Sequence, residues 1–395
     1  MFTDGERPAS TPLRFTATDV RFGDGVAGDL PNALTRYGVS EPLIVTDPGI
    51  EAAGLLEPII ETLDGSPRTY HASTEPSTAD FGDLPSGAVD GVVAVGGGSC
   101  VDAAKLVALL LAHGGDPEAY LGVDRVPGPI APLVAIPTTS GTGSQATQTA
   151  VVTHEGVKRG ISDERLRPDA ALVDPALTYD LPRPITARSG FDAFVHATES
   201  LLARDYRWVE PRPITYQGAN PISRALAWRA LELIHGSLER AVFDGDDREA
   251  RRAMSLGSHL AGTAFSLSGL GAVHALASTL GGITGRPHGA CLAASMQTGL
   301  RYNRPVRREE YGAIARRLGV ADRASTAPAA FVSECDRLRE SIGLPGSPAA
   351  FDLGPEDVDT VVENTLLQER RLVTNPREVT EDLRDVLLDV GMATG

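Results

Sequence analysis

The chain has 395 residues, 42% hydrophobic and 22% charged, which is enough for two domains that each bury a core. Its formal charge of −16 argues against nucleic acid or an anionic membrane as partner, and no apolar run approaches the roughly 18 residues that a bilayer span needs. Cys100, Cys291 and Cys335 are too scattered for a disulfide framework or a C-x-x-C metal pair, and the N-terminal stretch MFTDGERPASTPLRF lacks the basic flank and apolar core of a secretory signal, so a cytoplasmic protein is expected.

The first half alternates short apolar runs with helical patterns. PLIVTD (42–47) is a short β-branched run that ends in a turn residue, and GLLEPIIETL (54–63) has helical spacing. GVVAVGGGS (91–99) is a second buried strand, and CVDAAKLVALLLA (100–112) reads as a helix packed on a sheet. APLVAIPTTSGTGS (131–144) repeats the strand-then-loop form. The expectation is an α/β nucleotide-binding domain with a parallel sheet over 1–184. From about residue 185 GFDAFVHATESLLA, ISRALAWRALELIHGSLERAV, REARRAMSLGSHLAGTAFS and YGAIARRLG carry period-3.6 apolar positions, so 185–395 is expected to be an all-α domain. RDYRWVEPRPITYQGANP (204–221) interrupts it as a long loop, of the kind that is often functional.

Three glycines, Gly96, Gly97 and Gly98, and Ser99 stand between a strand and a helix. There a backbone without Cβ atoms approaches a pyrophosphate, and the helix N-terminus offers unpaired N–H groups. Thr138, Thr139, Ser140, Thr142 and Ser144 follow another strand end, where open sheets bind ligands; their hydroxyls suit a phosphate or a nicotinamide carboxamide. Asp47 ends PLIVTD, and a carboxylate there accepts hydrogen bonds from a ribose and repels a 2′-phosphate, which favours NAD over NADP.

GAVHALASTLGGITGRPHGA (271–290) places two of the eight histidines, His274 and His288, around a glycine-rich turn. Asp192 and His196 are four apart, on one face of a helix and near its N-terminus as the pattern reads. Each pair alone is more often incidental. Together they make one carboxylate and three imidazoles, a set that suits Fe²⁺ or Zn²⁺ rather than an oxygen-seeking cation. Of 36 basic residues only Lys105 and Lys158 are lysines, which marks both as candidates for a specific task.

In this order and spacing GGGSCVDAAK, IPTTSGTGS, GFDAFVHATES and GAVHALASTLGGITGRPHGA resemble the signature segments of the iron-containing (group III) alcohol dehydrogenases, as do LVDPALT (172–178), GLRYN (299–303) and TNPREVT (374–380). The resemblance implies a dehydroquinate-synthase-like fold with the site in the cleft between an N-terminal and a helical domain. It also implies a homodimer acting on a small alcohol or carbonyl compound by NAD-linked hydride transfer. It places Asp192, His196, His274 and His288 on the metal ligands and Gly96–Ser99 on the pyrophosphate loop. Thr138, Thr142 and Ser144 fall on the cofactor loop and Asp47 on the ribose-binding acid. Asp102 and Lys105, inside the glycine-loop segment, join the cofactor set; Lys158 has no implied role. Three departures stand out. Ser278 occupies a place where many relatives carry a histidine, the segment 73–91 is short, and the loop 204–221 is long. That loop is similar to a stretch of the hydroxyacid–oxoacid transhydrogenases, and its Arg207 and Arg212 are candidates to meet a carboxylate substrate. Transhydrogenation with retained NAD, or a dehydroquinate-synthase-like lyase, are the alternative functions.

Overall fold

The computed structural model describes residues 12–390 and 392, apart from 83, 86, 211–214 and 322. In chain order its strands are β1 (Asp19–Phe22), β2 (Pro42–Thr46), β3 (Arg68–His71), β4 (Gly91–Gly96), β5 (Gly122–Val123), β6 (Leu133–Pro137), β7 (Thr149–His154), β8 (Val157–Ser162) and β9 (Ala170–Val173). Six of them form one parallel sheet in the order β1-β9-β6-β4-β2-β3. Its inner strands are apolar throughout because both faces are covered. Leu43, Val45, Val92, Ala94, Leu133 and Ala135 pack into one core with the helix Gly98–His113. Their neighbours Ile44, Val93, Val95, Val134 and Ile136 pack on the other face with Leu30, Leu34 and Leu56.

The chain runs outward from β2 to β3, then returns to place β4 on the other side of β2. The strand order therefore reverses between β2 and β4. Their carboxyl ends, which carry Asp47 and Gly96–Ser99, flank the crevice where such sheets take ligands. GLLEPIIETL forms only the short helix Glu57–Ile60, and Gly54 with φ 69° breaks the chain before it. Before β4 the segment 73–91 contains only the turn Thr78–Phe81 as helical structure among its described residues.

β7 and β8 are an antiparallel hairpin, with β5 beside β8 in parallel. Its two-residue turn is Glu155-Gly156, with φ of 49° and 76°, the left-handed pair that tight hairpins require. The hairpin carries Lys158.

From Arg183 onward the regular structure of the described chain is helical, with one isolated bridge between Asp205 and Ala219. The helices Arg183–Leu202, Pro221–His235, Arg248–Ser268, Ala272–Thr284 and His288–Asn303 share one apolar core that includes Phe191, Phe194, Leu231, Met254, Leu276 and Leu292. The run ISRALAWRALELIHGSLERAV is two helices rather than one, since Gly236 ends the first and Leu238–Phe243 forms the second. No single helix among the described residues is long and apolar enough to cross a membrane.

Candidate active site

The helix Arg183–Leu202 supplies Asp192 and His196. They lie in its middle, more than two turns beyond Arg183. The expected position near the N-terminus is therefore corrected: Pro182 and Pro184 start the helix well before Gly190. His274 sits in the first turn of Ala272–Thr284, and His288 opens His288–Asn303. One ligand atom each from Asp192, His196 and His274 lies within 4.8 Å of the others. Asp192 Oδ1 is 3.4 Å from His196 Nε2 and 3.5 Å from His274 Nε2. The His196 and His274 rings stack at 4.5 Å, and His288 joins at 5.7 Å from His274.

Asp192 Oδ1 and His274 Nε2 are buried without a hydrogen-bond partner. Each such orphan costs about 1–3 kcal/mol, which a shared cation would relieve. Burial pushes Asp192 up, but His196, His274 and His288 outweigh it and hold the carboxyl near 2. Burial lowers His196 to about 4 and His288 to about 3, so both are neutral and carry a free lone pair at pH 7. Burial also opposes a charge on His274, yet Asp192 and Glu199 raise it. The donor set fits a divalent metal of the iron or zinc type.

Glu199 holds His274 in place. Its Oε2 lies 2.6 Å from His274 Nδ1. The same carboxylate accepts the backbone N–H of Val273 at 2.8 Å and of His274 at 3.4 Å, at the start of the helix Ala272–Thr284. A carboxylate there is stabilised by the helix dipole and keeps the proton on Nδ1, leaving Nε2 free to ligate. The segments GLRYN and TNPREVT meet behind it. Asn303 and Asn375 pair through two 2.9 Å hydrogen bonds, and Asn375 Oδ1 also accepts the N–H of Ala272 at 2.9 Å. Glu199 was legible in the sequence: Asp192, His196 and Glu199 are spaced i, i+4, i+7 on one helical face.

On the other wall the helix Gly98–His113 has no acidic residue in its first turn, and its first backbone bond runs from Val101 N to Gly97 O. The N–H groups of Gly98, Ser99 and Cys100 are left over for a ligand. A Cβ on Gly98 would fall 2.4 Å from Thr142 Cγ2, so glycine lets the two loops touch. At Gly143, with φ 64°, the second loop meets Gly262 backbone to backbone. Ser140 and Ser255 hydroxyls at 2.9 Å tie it further to the helix Arg248–Ser268.

Gly98, Ser99, Asp102, Thr142 and Ser144 share a cleft of about 190 Å³ with Asp192, His196, His274 and His288. Gly96, Gly97, Thr138 and Thr139 stand behind this lining, with Thr138 buried. Asp47 caps the helix Pro48–Ala52, where its Oδ1 accepts the N–H of Gly49 at 2.8 Å, and its Oδ2 points toward Gly96. Lys105 does not reach the cleft. It is fully buried and donates to Ser144 Oγ at 2.8 Å, Thr147 Oγ1 at 2.9 Å and the Thr149 carbonyl at 2.7 Å, bracing the glycine-loop helix against the loop and β7. Burial lowers its pKa to about 8 against the pull of Asp102.

The loop after the ligand helix places its arginine elsewhere than expected. Arg207 folds back on Asp205 at 2.8 Å, and Arg212 lies outside the described residues. Tyr216 is the loop's contribution to the cleft, together with Phe265, which stacks on His196 at 4.2 Å, and Ser278. Lys158, Arg370 and Arg371 also line it. No local pattern in the sequence singles out Tyr216, Phe265, Arg370 or Arg371. The other histidines serve elsewhere: His71 meets Glu51 and His235 meets Glu334, each at 2.8 Å, and His113 and His154 have their own polar partners. His259 is buried outside the cleft lining.

Against known families, residues 17–175 match the family model described as iron-containing alcohol dehydrogenase, and 186–388 match the C-terminal part of the Fe-containing alcohol dehydrogenase family. The chain is 33% identical over 380 residues to the NAD-dependent methanol dehydrogenase of Bacillus methanolicus, covering 92% of this chain and 96% of that one. It is 32% identical over 383 residues to the 4-hydroxybutyrate dehydrogenase of Cupriavidus necator, covering 92% and 95%. Among solved structures, an alcohol dehydrogenase from Oenococcus oeni superposes with a TM-score of 0.85 at 30% identity, covering 96% of this chain and all of that one.

Proposed function

The chain belongs to the iron-containing alcohol dehydrogenase family, metal-dependent, NAD-linked enzymes that interconvert an alcohol and a carbonyl compound by hydride transfer, and on that premise we propose which residues do the work. Asp192, His196, His274 and His288 hold the divalent metal, with Fe²⁺ the first candidate and Zn²⁺ the second, since one carboxylate and three imidazoles suit both. When bound, the metal supplies Lewis acidity to the substrate oxygen and NAD supplies or takes up the hydride.

The remaining work belongs to the chain. Glu199 keeps the Nε2 lone pair of His274 aimed at Asp192. The N–H groups of Gly98 and Ser99 take the pyrophosphate, and Asp47 Oδ2, which the helix cap leaves free, takes the ribose. Thr142 accepts from Ser144 N at 3.2 Å, so its own hydroxyl proton is available to the cofactor. Ser144 is less free, because its hydroxyl already donates to Asp102 and accepts from Lys105. Phe265, Leu270 and Val152 keep water from the reacting atoms. A homodimer is proposed from the family resemblance, and light scattering on the purified protein tests it.

One observation carries the assignment: two unpartnered buried atoms, Asp192 Oδ1 and His274 Nε2, stand 3.5 Å apart in a cleft shared with the glycine loop. The test is NADH oxidation by anaerobically purified, Fe²⁺-loaded protein across small aldehydes, with chelator and with Zn²⁺ replacement. Chelator-sensitive turnover is expected, as is loss of bound metal in Asp192→Asn and His196→Ala. Metal retained by both variants would overturn the ligand assignment.

A further inference from the structure

The cleft is unevenly charged. Its carboxylates are Glu75, Asp102 and Asp192, and each is engaged. Asp192 faces the histidines, Asp102 accepts from Ser144 Oγ and from Val151 N at 3.0 Å, and Glu75 pairs with Lys158 at 3.3 Å. Arg370 and Arg371, by contrast, have no carboxylate within 4.0 Å among the described residues. Arg370 donates to Tyr216 OH at 2.7 Å and to Thr149 Oγ1 at 3.4 Å, and Arg371 donates to Gln368 Oε1 at 2.7 Å. These are three neutral acceptors for about ten N–H donors.

Both guanidiniums are half-buried, and holding adjacent cations partly out of water without a counter-charge is unfavourable. The chain has 52 acidic residues against 36 basic ones, so a carboxylate partner was not scarce. Other part-buried arginines show the structural alternative. Arg307 fastens helix ends through the carbonyls of Leu202 and Ala203, and Arg251 through Thr186 and the Leu181 carbonyl, and neither lines the cleft. Arg370 ties Tyr216 to Thr149, and Arg371 reaches only the Gln368 amide oxygen among the described residues, yet both line the cleft. Burial, followed by the charge of Arg370, lowers Arg371 to about 10 against the pull of Tyr216 and Glu199. Ser278, one turn after His274, has too short a side chain to wall the arginines off from the metal ligands, and it borders the same cleft.

We infer that this cleft selects a small aldehyde bearing a terminal oxyanion, a carboxylate or a sulfonate, with the carbonyl at the Asp192, His196, His274 and His288 end and the anion on Arg370, Arg371 and Lys158. This rests on the reading of the cleft as the carbonyl-reducing site. The aldehyde carbon takes a hydride from NADH and its oxygen takes a proton, giving the hydroxy anion and NAD⁺. A guanidinium pair matches the planar or tripodal oxygens of either head group in bidentate fashion.

The experiment compares kcat/KM of the metal-loaded enzyme for matched pairs: 4-oxobutanoate against butanal, and sulfoacetaldehyde against propanal. Wild type is expected to favour at least one anionic member by about tenfold or more, and the pair showing the preference separates carboxylate from sulfonate. In Arg371→Leu that anionic-to-neutral ratio falls by about thirtyfold, mainly through KM, and Arg371→Lys restores part of it. KM for NADH is the control: a rise shared by all four aldehydes would place the arginine on the cofactor and overturn the inference. Butanal and propanal turned over as well as their anionic partners by wild type would overturn it without any variant, leaving the oxidoreductase reading intact. No turnover of any aldehyde with metal bound would overturn both.

Discussion

Replacing Glu199 by glutamine isolates the outer carboxylate from the ligands themselves. The side chain is buried and makes three contacts, the shortest at 2.6 Å to His274 Nδ1. Glutamine can still accept from the Val273 N–H through its oxygen, but its NH₂ then faces His274 Nδ1 as a donor. The imidazole proton moves to Nε2, the atom aimed at Asp192, and the lone pair needed for the metal is gone. Loss of an outer-shell partner of this kind costs about 10- to 100-fold in metal affinity. The folding cost is smaller, about 1–3 kcal/mol, because charge-assisted bonds at a helix start become neutral ones. Equilibrium dialysis of wild type and Glu199→Gln against a competing chelator reads the first quantity, and thermal melts of the metal-free proteins read the second. A lower melting temperature with metal affinity within about twofold of wild type would refute the reasoning and leave Glu199 as a helix cap only.

Gly98→Ala sets a Cβ 2.4 Å from Thr142 Cγ2 and 2.8 Å from its Cβ, so the two cofactor loops must part; KM for NADH rises by about tenfold with bound metal unchanged, and an unchanged KM would mean that Thr142 turns aside. Lys105→Met strands Asp102 without its cation and removes the 2.7 Å bond to the Thr149 carbonyl, which destabilises the fold by about 3–5 kcal/mol in denaturant melts. The same variant yields a pH test. The folded-state pKa of Lys105, about 8, lies below its usual value of 10.5, so between these limits the unfolded chain binds the extra proton. Wild type should therefore gain stability relative to Lys105→Met as pH rises through that window, by at most about 1.4 kcal/mol per pH unit. A flat or falling difference would contradict a lowered pKa at this position.

The strands that the sequence announces are those buried on both faces. β2, β4 and β6 lie inside the sheet, and their apolar runs need no alternation. β1 and β3 are its edges, four residues each and half exposed, and DVRF and RTYH carry too little apolar signal to stand out from loop. The hairpin β7–β8 escapes for a related reason. Its second strand VKRGIS is exposed at alternate positions near the turn, and its turn pair Glu-Gly is a weaker cue than Asn-Gly or Asp-Gly. Missing that hairpin also hides the position of Lys158. The two lysines spared in an arginine-rich chain prove to have distinct tasks: one is the fully buried brace and the other lines the cleft.

Histidine is scarce here, so four metal-binding candidates could be read from spacing, and three of them offer ligand atoms to one point in space. Arginine behaves differently. Arg207 and Arg212 are candidates for a carboxylate substrate by the resemblance of their loop to the transhydrogenases, yet Arg207 is neutralised two residues away by Asp205. With two lysines among 36 basic residues, arginine is the default cation of the chain, and a pair such as Arg370-Arg371 looks like any solvated helix end. What distinguishes the pair is partial burial in the cleft with no carboxylate within 4.0 Å among the described residues. That property arises only when a one-turn helix near the C-terminus folds beside β7, β8 and the loop that presents Tyr216. A half-buried cation pair without a nearby carboxylate is a relation among several distant segments, whereas the Asp192–His196 pair is a relation along one helix and His274 and His288 stand out by their scarcity, so the metal end of the cleft is written in the sequence and the anion end is written only in the fold.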